Sequence, residues 1–321
     1  MDKCNSTALQ TVVVTGASGF VGRQLCLALS TSTHNVRGVL RSGSLEPESC
    51  HEIAHIKGLD QPEGWESALD NADIVIHCAG IAHKPPNALN AADDFDRFNR
   101  KATIDIAEKA LSMGVRRFIF ISSVGVYGHI PSNHSACESY PCNPREPYAV
   151  SKLYAEIQLT ELCKNTAMEL VIIRTPMIYG PSCPGNFASL TRFVKTRLPI
   201  PLGSIESMRN YVSIFNLTHF ISVVCEKGNS ASGIYNVADN EEVSLQDTVR
   251  LISEGLRVSN RMIKIPNVWL KWAAKLTGKS DTYSKLTESV RISSIKAQTE
   301  LTWKPPISPS AGIKSAAQTF K

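Results

Sequence analysis

A chain of 321 residues, 43% apolar and 20% charged, is long enough for one large α/β core with a smaller appendage. It shows none of the bias of a disordered, collagenous or disulfide-scaffold protein. The net charge of +5 is scattered, with no run of five basic residues, which suits anionic small molecules and offers no basic stripe for nucleic acid.

Nine cysteines with no CxxC pair argue for neither a disulfide framework nor a zinc ribbon, and fit reduced thiols in a cytoplasm. The chain is polar through Gln10, so no signal peptide is expected. No apolar run reaches the ~20 residues that cross a bilayer. The sequons at Asn5, Asn133 and Asn216 are therefore expected to be idle.

In chain order, Thr11–Thr15 is predicted as a buried strand and Phe20–Ser30 as a helix. Between them, Val14-Thr15-Gly16-Ala17-Ser18-Gly19-Phe20-Val21-Gly22 sets three glycines at GxxGxxG spacing. Gly16 permits a tight turn, Gly19 lets backbone approach a pyrophosphate, and Gly22 lets the helix pack close to the strand. The helix N-terminus then presents free N–H groups to the phosphates. Val36–Leu40 is a second strand ending at Arg41, where a site for NAD usually carries an acidic residue. Arg41 suits a 2′-phosphate instead, which favours NADP(H) over NAD(H).

His51-Glu52-Ile53-Ala54-His55 spells HExxH, a zinc motif when it lies on a helix. Here it runs into a short strand at Ile53–Lys57, so no metal is expected. Asp73–His77 is a fourth strand, 94–113 a long helix stopped by Gly114, and Arg117–Ile121 a fifth strand leading into Ser122-Ser123. A helix over 148–165 is introduced by Pro147, and Glu169–Ile173 is a sixth strand. Continuous apolar strands alternating with helices predict a doubly wound parallel sheet, the Rossmann architecture, over residues 1–175. Residues 176–321 are predicted as a smaller, mostly helical lid, interleaved because Gly233–Val237 reads as a strand returning to the main sheet.

Tyr148-Ala149-Val150-Ser151-Lys152 places a phenol and an ammonium one helical turn apart, on one face. A cation beside a phenol favours the phenolate and lowers its pKa from about 10. Tyr148 could then exchange a proton with a sugar hydroxyl while hydride moves to or from a nicotinamide. Ser123 stands at the carboxyl end of the fifth strand, where ligands of doubly wound sheets sit. Residues 268–279 form a basic amphipathic helix with Trp269 and Trp272. Its apolar face is expected to pack into the lid, with peripheral membrane contact as the alternative.

Together with HCAG at 77–80, ISSVGVYG at 121–128 and RTPMIYGP at 174–181, these segments resemble the extended short-chain dehydrogenase/reductase family. The likeness falls in its nucleotide-sugar epimerase and reductase branch and covers nearly the whole chain. The resemblance implies a catalytic triad of Ser123, Tyr148 and Lys152. It also implies cofactor contacts from the glycine turn (Gly16, Ser18, Gly19, Phe20, Val21, Gly22), Arg41, Asp60, Ala79, Gly80, Asn99, Ser122, Tyr148, Lys152 and Pro176. For a UDP-sugar it implies His83, Val124, Asn186, Pro201, Leu202 and Arg209, with Arg209 gripping a phosphate. A homodimer is implied as well.

Val124-Gly125 replaces the Asp-Glu pair of family dehydratases, which sets dehydration aside. Gly58-Leu59-Asp60 replaces the adenine-contacting Gly-Asp-Leu. The segment 81–98 most resembles bacterial O-antigen proteins that act at C4 of UDP-N-acetyl-6-deoxyhexosamines. The expected activity is therefore NADPH-dependent reduction of a UDP-4-keto-6-deoxy sugar. The alternatives are a UDP-glucose or UDP-N-acetylglucosamine 4-epimerase with retained NAD, and a cofactor-binding regulator without catalysis.

Overall fold

The computed structural model describes residues 9–32, 34–82, 90–227, 231–259, 261–278 and 280–320. In chain order the first elements are β1 (Gln10–Thr15), α1 (Phe20–Ser30), β2 (His34–Arg41), β3 (Glu52–Ile56), α2 (Trp65–Leu69) and β4 (Ile74–His77). Then come α3 (Ala91–Phe95), a π-helical turn at Asp96–Lys101, α4 (Ala102–Ser112), β5 (Arg117–Ser123), α5 (Pro147–Cys163) and β6 (Glu169–Thr175). After these follow β7 (Met177–Tyr179), α6 (Asn186–Lys195), β8 (Met208–Arg209), β9 (Tyr211–Ser213), α7 (Ile214–Glu226), β10 (Gly233–Asn236) and β11 (Val243–Ser244). The chain closes with α8 (Leu245–Leu256), α9 (Asn267–Leu276), α10 (Ser280–Thr287), α11 (Ile295–Glu300) and α12 (Pro309–Gln318).

The main sheet has seven strands in the order β3-β2-β1-β4-β5-β6-β10. β1 is parallel to β2 and β4, β2 to β3, and β4 to β5. The order reverses between β1 and β4, the switch point at which ligands bind in doubly wound sheets. β1, β4 and β5 are buried almost end to end because helices cover both faces. One core cluster packs Val13, Val75, Phe118 and Phe120 against Trp65, Ile106 and Leu159.

The chain forms two compact units. One takes in Met1–Val126, Pro144–Ile173 and Ile221–Ile234; the other takes in Tyr127–Asn143, Arg174–Phe220 and Tyr235–Lys321. The second unit is mainly helical, with two small ladders: β7 with β9, parallel, and β8 with β11, antiparallel. Strands of two or three residues are too short to show a period in sequence.

One sequence expectation changes. The helix expected over 94–113 is α3 and α4 joined through the π turn. The HExxH segment lies at and on β3. His51 Nδ1 accepts from Val36 N–H at 3.0 Å, Glu52 pairs with Asn35 and Arg37, and His55 pairs with Glu46. Among the described residues no helix is long and apolar enough to cross a membrane.

Candidate active site

The site grows out of the end of β1. Gly16 has φ +67°, and a Cβ there would stand 3.0 Å from the Cα and N of Ala79. At Gly22 a Cβ would lie 2.2 Å from Gly16 O, so α1 can pack on the turn only through a glycine. α1 starts at Gly19 with no side-chain cap and no acidic residue in its first turn. Its first N–H groups are thus left for an anion, and the helix dipole favours one. Arg23 Nη2 donates to Ser18 O at 2.9 Å and braces the turn. This cradle fits the pyrophosphate of a nicotinamide dinucleotide.

The turn after β4 is held from two sides. On one side, Ala79 N–H donates to Thr15 Oγ1 at 3.2 Å, and Thr15 meets His77 Nδ1 at 3.0 Å. His77 Nε2 meets Thr103 Oγ1 at 3.0 Å, and Thr103 donates to Asn99 O at 2.9 Å. Because the Thr103 proton goes to Asn99 O, Thr103 accepts from His77 Nε2–H. Nδ1 must then accept the Thr15 proton. Burial, helped by the Lys152 charge, brings the His77 pKa down to about 3, which agrees with that neutral ring.

On the other side stands Asn99, fully buried in the π turn. Its Oδ1 accepts from Ile81 N–H at 2.8 Å, and its Nδ2 donates to Ile81 O at 2.9 Å and to Ser151 Oγ at 3.3 Å. A cofactor contact is implied for Asn99 by family resemblance, but here its amide is spent on the backbone at 81. It positions the turn that carries Ala79 and Gly80 and ties that turn to α5. π turns concentrate at sites of this kind.

α5 presents Tyr148 and Lys152. The Tyr148 ring meets the edge of Phe95 at 5.8 Å between centroids. Burial pushes its phenol up to about 12. Lys152 is 6% exposed; its Nζ donates to Ile121 O at 2.8 Å and sits 4.5 Å from the centre of the Phe120 ring. Burial pulls this ammonium down to about 8, against the pull of Cys78 and Glu156. The expected lowering of the phenol by Lys152 is thus not seen: the ammonium is committed to the Ile121 carbonyl, and desolvation governs Tyr148. Ser123 ends β5 and accepts from Gly125 N–H at 3.1 Å, keeping its own proton available. A Cβ on Gly125 would lie 3.3 Å from both Ser123 Oγ and Ala149 Cβ, so this glycine is where the strand end and the first turn of α5 meet.

A continuous set of contacts therefore runs from the glycine turn through Ala79 and Asn99 to Ser151, while Gly125 joins Ser123 to the same helix. Other expected residues stand differently. Ser122 donates to the buried Glu156 carboxylate, so its hydroxyl faces the packing side. Asp60 is ion-paired with Arg97. Arg41 is exposed at the end of β2. Val124 is buried at the start of a 3-10 turn. His83 lies outside the described residues.

In the second unit, Pro176 is buried between β6 and β7, Asn186 is exposed at the first position of α6, and Pro201 and Leu202 are half-buried. Arg209 bonds the Lys285 carbonyl and, at 2.7 Å, the Glu288 carbonyl. The implied phosphate grip is at odds with this arrangement, since these Nη2 bonds cap the end of α10. Arg209 Nε remains buried without a partner, a donor still available to an anion. A cavity of about 470 Å³ in this unit is walled by His129, Asn133, Glu206, Asn267 and Glu288, and contains none of the expected site residues.

Fold and site together define a Rossmann-type enzyme with a short-chain dehydrogenase/reductase arrangement. The profile of the NAD dependent epimerase/dehydratase family matches residues 12–238, and the chain belongs to that family. It is similar to a UDP-glucose 4-epimerase of Vibrio cholerae, 32% identical over 326 residues that cover 97% of this chain and 95% of the relative. It also resembles the N-acetyl-alpha-D-glucosaminyl-diphospho-ditrans,octacis-undecaprenol 4-epimerase of Escherichia coli O157:H7, 26% identical over 302 residues, 90% of this chain and 86% of that one. Among solved structures it matches a UDP-glucuronic acid 4-epimerase from Bacillus cereus in complex with NAD. That match has a TM-score of 0.77 and 22% identity, covering 97% of this chain and 98% of the other.

Proposed function

We propose that the protein is a UDP-sugar 4-epimerase. The observation that carries this reading is that Ser123 ends β5 where Gly125 meets the first turn of α5, the helix that bears Tyr148 and Lys152, in the same unit as the glycine cradle. The similarity to the Vibrio cholerae UDP-glucose 4-epimerase along nearly the whole chain favours epimerisation over net reduction. A bound nicotinamide dinucleotide would supply the hydride acceptor and donor.

The chain's own residues handle protons and position. Tyr148 takes the C4 hydroxyl proton and returns it when the opposite face is reduced. Ser123 hydrogen-bonds the same oxygen. Lys152, bonded to the Ile121 carbonyl, keeps a positive charge one helical turn from Tyr148. Gly16, Gly19 and Gly22 hold the dinucleotide, and Asn99 fixes the turn beside it. Dehydration is disfavoured because Val124 and Gly125 supply neither an acid nor a base after Ser123.

A second reading, NADPH-dependent reduction of a UDP-4-keto-6-deoxy-N-acetylhexosamine in surface polysaccharide assembly, is favoured by Arg41. That side chain is exposed at the end of β2, where a 2′-phosphate would stand. Incubating purified protein with UDP-glucose and UDP-N-acetylglucosamine, without added cofactor, separates the two. C4 epimers in the product NMR spectrum support the epimerase. No epimerisation, with NADPH consumed only when a UDP-4-keto sugar is supplied, replaces it with the reductase.

A further inference from the structure

The amphipathic helix α9 is turned the wrong way round for a lid helix. None of its residues is buried, and only Leu270 and Ala274, one turn apart, are even partly covered. The opposite face carries Val268, Trp269, Trp272 and Leu276, which are 65%, 71%, 63% and 83% exposed. Packing of this face into the lid, as the sequence suggests, does not occur. Only Leu270 and Ala274 take the inward position. The helix is anchored from α10, where the Tyr283 hydroxyl donates to Asn267 O at 3.2 Å.

The charge around this face is one-sided. Between positions 255 and 280 the chain has six basic residues and no acidic one. Lys271 and Lys275, four residues apart, flank the tryptophan face, and Lys264 precedes it, all three exposed. Among the described residues none of these three lysines has an acidic partner. Ile263, next to Lys264 in sequence, is also 45% exposed. Two tryptophans at the level of an apolar stripe, bordered by unpaired lysines, match the chemistry of a bilayer interface. Indole rings favour the headgroup region, aliphatic side chains enter the acyl boundary, and lysines meet anionic headgroups.

We propose that α9 docks the protein on anionic lipid bilayers as a peripheral, interfacial helix. The inference is independent of which sugar is the substrate. A single helix of ten residues with three nearby lysines binds reversibly, and its attachment weakens as salt screens the charge.

The test is co-sedimentation of the full chain with phosphatidylcholine vesicles, with and without phosphatidylglycerol, at low and high salt. Tryptophan emission is read in parallel. Trp65 and Trp303 are 4% and 1% exposed, so changes in the solvent-accessible emission report on α9. The expected result is binding to the phosphatidylglycerol vesicles, a blue shift, protection from acrylamide, and release by salt. Trp269→Ser with Trp272→Ser, or Lys264, Lys271 and Lys275 all changed to Gln, should each lower the partition coefficient by about tenfold or more while epimerase activity is retained. Absence of binding at low salt overturns the proposal, as does binding that neither variant weakens. A blue shift that needs no lipid, grows with protein concentration and vanishes in the tryptophan variant also overturns it, by assigning the face to a second copy of the chain.

Discussion

Tyr148 is held in its protonated form by burial, and this sets how the site can be tested. The Tyr148→Phe substitution removes one hydroxyl and leaves the ring against Phe95, so dinucleotide binding should survive. The rate should fall at least about a hundredfold, read as initial epimerisation velocity beside a cofactor titration. A near-normal rate would remove Tyr148 from the chemistry. Lys152 makes a related point about stability. Its ammonium is desolvated for one carbonyl hydrogen bond, so Lys152→Met should raise stability at pH 7 by about 1–3 kcal/mol while abolishing activity. Chemical denaturation gives the first quantity, and a less stable variant would contradict the burial argument.

His77 carries a pH signature. Its folded pKa of about 3 lies below the ordinary value of 6.5, so on acidification the unfolded chain takes up a proton that the folded chain refuses. The His77 contribution to stability is therefore complete above pH 6.5 and is lost between pH 6.5 and 3, by up to about 1.4 kcal/mol per pH unit. Urea melts between pH 7 and 4.5 should show that slope, and in His77→Gln it should be shallower by close to one proton. An unchanged slope would mean that the ring is not neutral and enclosed in the native state.

At the scale of elements, the joint between β1 and α1 is the least forgiving. Gly22→Ala puts a methyl group 2.2 Å from the Gly16 carbonyl, so α1 must move off the turn. A loss of about 1–3 kcal/mol and weakened dinucleotide binding should follow together, seen as a lower Tm and a raised Kd. The π turn is the second joint. Asn99→Ala leaves Ile81 N–H and O without partners and should raise the dinucleotide Kd by about tenfold, roughly 1.4 kcal/mol, with the fold intact.

These joints also show how far sequence reaches. The glycine turn and the Tyr148–Lys152 spacing are legible because each lies within a few consecutive residues, the first at one strand-to-helix junction and the second on one helix. The His77–Thr15–Thr103 relay and the Asn99 clamp are not, because their partners are 18 to 62 positions apart and come together only when the sheet is assembled. Arg209 was legible as a charge but not as a helix cap. An amphipathic pattern marks α9 as a helix but does not say which face the rest of the unit covers.

The whole molecule is written discontinuously. The chain passes between its two units at Tyr127, Pro144, Arg174, Ile221 and Tyr235, so neither unit is a single stretch of sequence. Arg117, fully buried at the start of β5, shows what this means in practice. Its guanidinium bonds Glu169 at 2.7 Å but also the carbonyls of Val224 and Lys227, more than a hundred residues downstream. A gene fragment ending at residue 175 would encode the whole nucleotide cradle, the Tyr-Lys helix and Glu169, yet leave that buried guanidinium without its two carbonyl acceptors, a loss of about 1–3 kcal/mol. Such a fragment should emerge from the ribosome as an aggregation-prone chain without cooperative melting. Extending it through Lys227 should restore the missing carbonyls and with them a measurable transition. During synthesis, the first unit must therefore wait for the Arg174–Phe220 stretch of the second to be translated before its own interior can close.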